Sequence, residues 1–218
     1  MNLNNLHRWD ITPGEAVDLQ IRLAGSVKGG ILPELETILG LDVSYRRSTG
    51  RFMASAVLLS FPDLEETASF THEGRTPFPY VPGLLSFREI PALLPLLQKY
   101  PPPDLIMVDG HGIAHHRGLG LASHVGLLTG IPTIGCAKSR LTGEHRDLAA
   151  EPGAAQPLTV NGVLAGYVLR SRKGCKPLYV SPGHLLSTGE ALRGVQICLR
   201  GYRLPEPTRL ADKLSKEK

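Results

Sequence analysis

The spacing of apolar and polar positions changes repeatedly along this chain, and each change marks an element. Thr12-Pro13-Gly14-Glu15 has the form of a capping box with proline at the first helical position. Val17, Ile21 and Leu23-Ala24 follow as the side of that helix turned toward a core, and the helix stops near Gly29-Gly30. Strand-like runs come next at 37–45, 51–60 and 65–71, and the turn Arg46-Arg47-Ser48-Thr49-Gly50 makes the first two a hairpin. A stiff connection, Pro77-Phe-Pro-Tyr-Val-Pro-Gly83, leads to a helix opened at Ser86-Phe-Arg-Glu89 and ended by Pro101-Pro102-Pro103. The apolar run 105–108 predicts a buried strand, followed by a glycine loop, a helix near 119–129 and a strand over 132–137. Asn161-Gly162, between runs at 158–160 and 163–170, is a strong hairpin signal. A strand at 177–180 precedes a helix opened by Ser187-Thr-Gly-Glu190, and a short helix from Pro207-Thr208 onward carries Asp212. This order predicts one α/β domain over residues 1–218, a mixed sheet with helices on its faces.

Composition narrows the class. The chain has 218 residues, enough for one large domain, with 42% hydrophobic and 20% charged residues as in ordinary globular proteins. Its apolar runs are too short to span a bilayer, and the first nine residues lack the basic start and apolar core of a signal peptide. Cys136, Cys175 and Cys198 are odd in number and form no CxxC pair, which points to a reducing cytoplasm rather than a disulfide or zinc scaffold. The net charge of +4 hints only weakly at a polyanionic partner.

The carboxylates carry more. Asp109 closes its apolar strand and is followed at once by Gly110-His111-Gly112, while Asp42 sits inside the run Leu41-Asp42-Val43. A buried acid must be neutralised by a proton, a base or a metal ion. If these strands are neighbours, two carboxylates about 4 Å apart repel by roughly 4 kcal/mol at an effective dielectric of 20, and divalent cations turn that penalty into binding. Such cations build a phosphodiester-cleaving site. The structural alternative for each acid is a strand-end turn cap. Glu89 reads first as the third helical residue of a capping box begun at Ser86, and Asp212, among Arg209, Lys213 and Lys216, as part of a solvated helix face.

Other groups flank these acids. His111 and His115 are four apart, but Gly110 and Gly112 disfavour the helix that zinc ligation would need, so His115 reads better as a donor or proton shuttle beside a phosphate. Lys138 stands either at a phosphate or on the surface, and His184 is a loop hydrogen-bonding residue. Pro79-Tyr80-Val81-Pro82 forms a rigid apolar blade able to enter a base stack and fill the gap left by an extruded base. A connector with Tyr80 packed on the core is the alternative. The amides of Gly83-Leu84-Leu85 lie close behind it.

At these residues the chain resembles the endonuclease V family of deoxyinosine-specific repair nucleases, most closely its bacterial members. The resemblance rests on Gly40-Leu-Asp-Val-Ser44, the segment Pro79 to Glu89, Val108-Asp-Gly-His-Gly-Ile-Ala-His115, Gly120-Leu-Ala-Ser-His124, Ile131-Pro-Thr-Ile-Gly135 with Lys138, and Gly201-Tyr-Arg-Leu-Pro-Glu-Pro-Thr-Arg209. It implies a ribonuclease H-like fold. It also implies metal-binding acids at Asp42, Glu89, Asp109 and Asp212, with Mg²⁺ as cofactor and Mn²⁺ able to substitute. That reverses the reading of Glu89 and raises that of Asp212. The family's wedge falls on Pro79, Tyr80, Val81 and Pro82, with Val81 where isoleucine is commoner. His115 and Lys138 match catalytic positions near the scissile phosphate. An extruded hypoxanthine would meet backbone groups around Gly83, Leu85, Gly110, His111 and Gly112. His116 departs from the proline usual in bacterial relatives.

The implied reaction is hydrolysis of the second phosphodiester bond 3′ to deoxyinosine, leaving a 3′-hydroxyl and a 5′-phosphate. Arg88, Lys138 and Arg140 are candidates for phosphate contacts, and the expected protein is a monomer with no membrane partner. Inosine-containing RNA is an alternative substrate. The rivals are a non-catalytic nucleic-acid-binding module on the same fold and a zinc hydrolase using His111 and His115.

Overall fold

The computed structural model describes residues 1–46 and 50–217. Its centre is one eight-stranded mixed sheet. In chain order the elements are α1 (Pro13–Ala24), β1 (Thr37–Arg46), β2 (Arg51–Ser60), β3 (Glu66–Arg75), α2 (Leu85–Leu97), β4 (Leu105–Val108) and α3 (Leu121–Thr129). They continue with β5 (Thr133–Ala137), β6 (Ala155–Val160), β7 (Val163–Leu169), β8 (Leu178–His184), α4 (Thr188–Ile197) and α5 (Glu206–Lys216). The strands lie in the order β3-β2-β1-β4-β5-β8-β7-β6. Only β1, β4 and β5 run parallel, and the hairpins on either side are antiparallel.

The predicted hairpin of β1 and β2 forms in register from Thr37↔Ser60 to Arg46↔Arg51. Residues 47–49 of its expected turn lie outside the described residues. Asn161 and Gly162 both take positive φ, 51° and 77°, as a two-residue turn between β6 and β7 requires. The capping boxes differ in outcome. Thr12 accepts from the Glu15 amide, and Glu15 caps the Thr12 amide in return. Ser86, by contrast, lies inside α2, whose N-cap is Leu84 with no side-chain cap. Glu89 is therefore not a capping residue.

Two further expectations are corrected. α1 ends at Ala24 rather than near Gly29-Gly30, and it buries Ala16, Leu19 and Gln20 while Ile21 is 60% exposed. A polar residue thus takes a place in the buried stripe that an apolar one was expected to fill.

Alternation along β1 sorts its residues between two cores. Leu39 and Leu41 face α2 and α3 with Ile90, Leu93 and Val125. Ile38 belongs to the opposite core with Val195 and Ala211, contributed by α4 and α5. Gly40, Asp42 and Ser44 share that parity, and all three meet α5. A Cβ on Gly40 would stand 2.0 Å from the Pro207 carbonyl oxygen, so only glycine lets the helix seat this closely. Ser44 Oγ donates to the Ser215 carbonyl, and Ser55 Oγ, on the strand beside Asp42, donates to the Ala211 carbonyl at 2.7 Å. Three polar or backbone contacts therefore fix both rotation and height of a helix that comes 160 residues after the strand it covers.

Gly40→Ala should push α5 off the sheet and lower stability by about 1–3 kcal/mol in urea unfolding. An unchanged midpoint would contradict this seating.

Candidate active site

Parallel pairing of β1 with β4 sets the site. Leu41 pairs with Val108, so the next residues on the two strands are Asp42 and Asp109, and the Asp109 amide donates to the Leu41 carbonyl. The seating of α5 delivers Asp212 from the third direction. One carboxylate oxygen from each of Asp42, Asp109 and Asp212 lies within 4.8 Å of the others. Among the described residues this is the one such group of potential metal ligands. His111 and His115 do not join it and belong to no such group among the described residues. The solvated-face reading of Asp212 gives way for the same reason: its carboxylate is turned inward.

Positive charge and hydroxyl donors already compensate the cluster. Lys138 Nζ, from the end of β5, pairs with both Asp109 and Asp212. Lys216 Nζ lies 2.7 Å from both Asp212 oxygens. Ser215 Oγ donates to Asp42 Oδ2. Burial, then the Asp109 charge, pushes the Asp42 carboxyl up to about 6, and the Ser215 hydrogen bond offsets part of that rise. Burial works against the Lys138 ammonium, yet the charges and hydrogen bonds of Asp109, Asp212 and Asp42 together outweigh it and its pKa rises. Burial likewise opposes Asp212, but hydrogen bonds from Lys138 and Lys216 hold its carboxyl below the usual value.

Glu89 stands apart from the three aspartates. It lies in α2, is 6% exposed, and has its pKa raised by burial and then by the Asp42 and Asp109 charges. It is thus close enough to sense the cluster without sharing its centre. The donor set is all carboxylate oxygen, hard and anionic, which fits a hard divalent cation.

Beside the acids opens a pocket of about 200 Å³. It is lined by the turn 80–83 with Leu85 and Ser86, and by Gly110, His111, Gly120 and Leu121. Of the five residues expected at a base, Gly83, Leu85, Gly110 and His111 line it. Gly112 lies behind, with its amide donating to Ser181 Oγ and no room for a Cβ against the Pro182 carbonyl oxygen. The loop 110–112 is pinned from its back by Gly135 and Gly120, where a Cβ would collide with its backbone. The backbone that follows Asp109 is therefore closely packed where it borders the pocket.

Polar groups in this pocket lack partners. Ser86 Oγ and His111 Nδ1 are both buried without a hydrogen bond. His111 Nε2 reaches the Ser139 carbonyl, and burial lowers the His111 pKa, so Nδ1 is left a bare acceptor. No side chain caps α2; the Phe87 amide donates to the Leu84 carbonyl at 3.2 Å, which leaves the Leu85 and Ser86 amides ahead of it at the uncapped helix start.

Tyr80 is 71% exposed and does not pack on the core, which removes the connector alternative for its ring. The turn beneath it has Pro82 second, Gly83 third with φ of 79°, and the Leu84 amide donating to the Val81 carbonyl at 3.0 Å. That is a type II turn, which requires glycine at the third place. His115, 3% exposed, donates from Nε2 to the Gly83 carbonyl and accepts at Nδ1 from the Arg117 amide. Burial lowers its pKa to about 4, consistent with a neutral ring. Arg88 is occupied by the Phe78 carbonyl and the Tyr45 ring, while Arg140 is exposed at the pocket edge. Gln20, Ser86, Arg117 and Ser215 are site residues that the sequence did not single out.

Comparison with known proteins identifies this arrangement. The family profile described as Endonuclease V matches residues 20–213. The chain belongs to the endonuclease V family. The endonuclease V of Dehalococcoides mccartyi is 47% identical over 213 residues, covering 97% of this chain and 96% of that one. The endonuclease V crystal structure from Bacillus subtilis superposes with a TM-score of 0.93 at 26% identity, covering 99% of this chain and 95% of the other. That from Ciona intestinalis, in complex with a 23mer DNA containing an inosine followed by a ribo-adenosine, gives 0.81 at 26% identity over 94% and 97%. The fold is ribonuclease H-like, as expected, and an endonuclease is a hydrolase of phosphodiester bonds. Among the described residues no helix is long and apolar enough to cross a membrane.

The raised Asp42 pKa has a measurable consequence. A folded-state value above the unfolded one adds stability that is complete below the unfolded value and lost as pH rises through about 6. A divalent cation selects the deprotonated form and stabilises the fold by mass action. The gain in Tm on adding a divalent cation to chelator-treated protein should be small near pH 5 and grow toward pH 7. A gain independent of pH would contradict the placement of Asp42 in the cation site.

Proposed function

We propose that this protein is a DNA repair endonuclease that recognises deoxyinosine and hydrolyses the second phosphodiester bond on its 3′ side, leaving a 3′-hydroxyl and a 5′-phosphate. The observation that carries this reading is a three-aspartate cluster sharing one loop with a pocket lined by unpaired polar groups. The inosine-containing DNA in the Ciona intestinalis relative's complex supports the substrate class.

In this reading Asp42, Asp109 and Asp212 hold Mg²⁺ or, in substitution, Mn²⁺, with Glu89 as the nearby fourth carboxylate. When bound there, the cation would supply Lewis-acid chemistry and lower the pKa of a water. Lys138, held at the cluster by Asp109 and Asp212, would be placed to pair with a phosphate oxygen. His115 acts as a neutral donor, and its hold on Gly83 ties the wedge to the catalytic loop. Pro79, Tyr80, Val81 and Pro82 form the wedge: the exposed Tyr80 ring fills the stack from which the base has left. The extruded hypoxanthine enters the pocket between Leu85 and Gly110, with Gly83, His111 and the supporting Gly112 around it. Amide donors at the start of α2 suit the hypoxanthine carbonyl and oppose the amino group that adenine carries there. The protein works as a monomer in the cytoplasm, and the buried Cys136 and Cys198 thiols suit a reducing compartment.

A second substrate reading, inosine in RNA, is favoured by one observation. The strand bound by the Ciona intestinalis relative carries a ribo-adenosine after the inosine. Matched strands bearing deoxyinosine, inosine, uracil or an abasic site decide between these readings: nicking of deoxyinosine DNA above all others is expected. Preferential cleavage of the RNA would move the substrate, and no cleavage would leave only a binding module.

Asp109→Ala should abolish Mg²⁺-dependent nicking of a deoxyinosine duplex, with a loss of at least about a thousandfold, and full activity would remove the proposed role. Tyr80→Ala should weaken binding to deoxyinosine strands more than to plain DNA, by about 1–3 kcal/mol in a competition assay. Equal losses on both would return Tyr80 to a structural part.

A further inference from the structure

Gln20 is a buried polar residue that neither the metal site nor the wedge accounts for. It sits in α1 at 0% exposure, and three hydrogen bonds satisfy its side chain. Nε2 donates to the Gly83 carbonyl at 2.9 Å and to the Leu119 carbonyl at 2.8 Å. Oε1 accepts from Arg117 Nε at 2.7 Å. The two carbonyls belong to two separate segments at the pocket, since Gly83 ends the Tyr80 turn and Leu119 leads into the lining residues Gly120 and Leu121. One buried amide therefore ties together two backbone segments that border the pocket the base would enter.

Arg117 completes the connection. Its Nη2 donates to the Gly83 carbonyl at 3.0 Å, and its own amide fixes the His115 ring that donates to the same oxygen. Three donors, from residues 20, 115 and 117, converge on a single carbonyl. A Cβ at Gly83 would lie 2.9 Å from Arg117 Nη2, so the glycine that the type II turn requires also makes room for the guanidinium. The planar fork of arginine serves Gln20 and Gly83 at once, which a lysine ammonium on a flexible stem does not reproduce.

We infer that Gln20 and Arg117 form a clamp that sets the width of the base pocket and the angle of the wedge turn, and so determine selectivity for the extruded base. Both are positioning residues acting through Gly83 and Leu119. Selectivity by backbone groups depends on the spacing of those groups, because a displaced amide no longer distinguishes a carbonyl from an amino group. The inference rests on the base-pocket reading given above.

The test measures kcat/KM for nicking of a deoxyinosine strand and of matched strands carrying adenine or deoxyxanthosine, at saturating Mg²⁺. Gln20→Leu, which removes both bridging donors at similar volume, should lower the deoxyinosine preference about tenfold. Arg117→Lys, which keeps the charge but loses the fork, should lower it in the same direction, and the double variant should add little further loss. Val195→Ala in α4 serves as a destabilised control that should reduce Tm and leave the preference intact. Hydrogen exchange of residues 79–84 should quicken in both clamp variants and not in the control. A selective wild-type enzyme whose preference survives in Gln20→Leu and Arg117→Lys overturns the clamp alone. A wild type with no deoxyinosine preference overturns the base-pocket reading and the clamp with it.

Discussion

Three carboxylates converge on one point of this fold, and their mutual repulsion is the constraint around which the rest is built. Left bare, such a group would drive its members apart or force them to take up protons. The structure answers with backbone that cannot retreat. Asp42 and Asp109 are neighbours because β1 and β4 pair in parallel, and Asp212 joins them because α5 is keyed to β1 at Gly40, Ser44 and Ser55. Ser215, Lys138 and Lys216 supply compensating hydrogen bonds and charge. The same repulsion makes the site receptive to a small dication, which neutralises several carboxylates at once.

Recognition and chemistry share a single piece of backbone. Asp109 faces the acidic cluster while the next residues, Gly110 and His111, line the pocket, and the loop is closely packed against the glycines behind it. In the proposed function, a base seated against Gly110 would be referenced to the acidic cluster through one covalent step. The Tyr80 turn also lines the pocket and is tied to the same loop region through His115 and Arg117. Under the proposed function, this coupling would let an enzyme that reads one nucleotide cut at a fixed distance from it.

Much of this was legible in the chain. The apolar runs around Asp42 and Asp109, with the order of strands and helices between them, led directly to their adjacency. The Asn161-Gly162 turn and the Thr12 capping box formed as read because they are local, decided within four residues. What failed depended on distant partners. Glu89 was first assigned a capping role because Ser86 stands three residues before it, yet the type II turn at Pro82-Gly83 starts α2 two residues earlier than that box needs. Ile21 was expected inside and Gln20 was overlooked, because periodicity favours the apolar member of a pair when the carbonyls that satisfy the polar one lie 63 and 99 residues away. Lys138 and Ser215 gave no local sign of their carboxylate partners for the same reason.

Crystals soaked in Mn²⁺ and measured for anomalous scattering test the central claim most directly. A peak bounded by oxygens of Asp42, Asp109 and Asp212, and absent from an Asp109→Asn variant of unchanged fold, is the expected result. A peak elsewhere, or the same peak in that variant, would contradict the assignment of these three aspartates as the cation site.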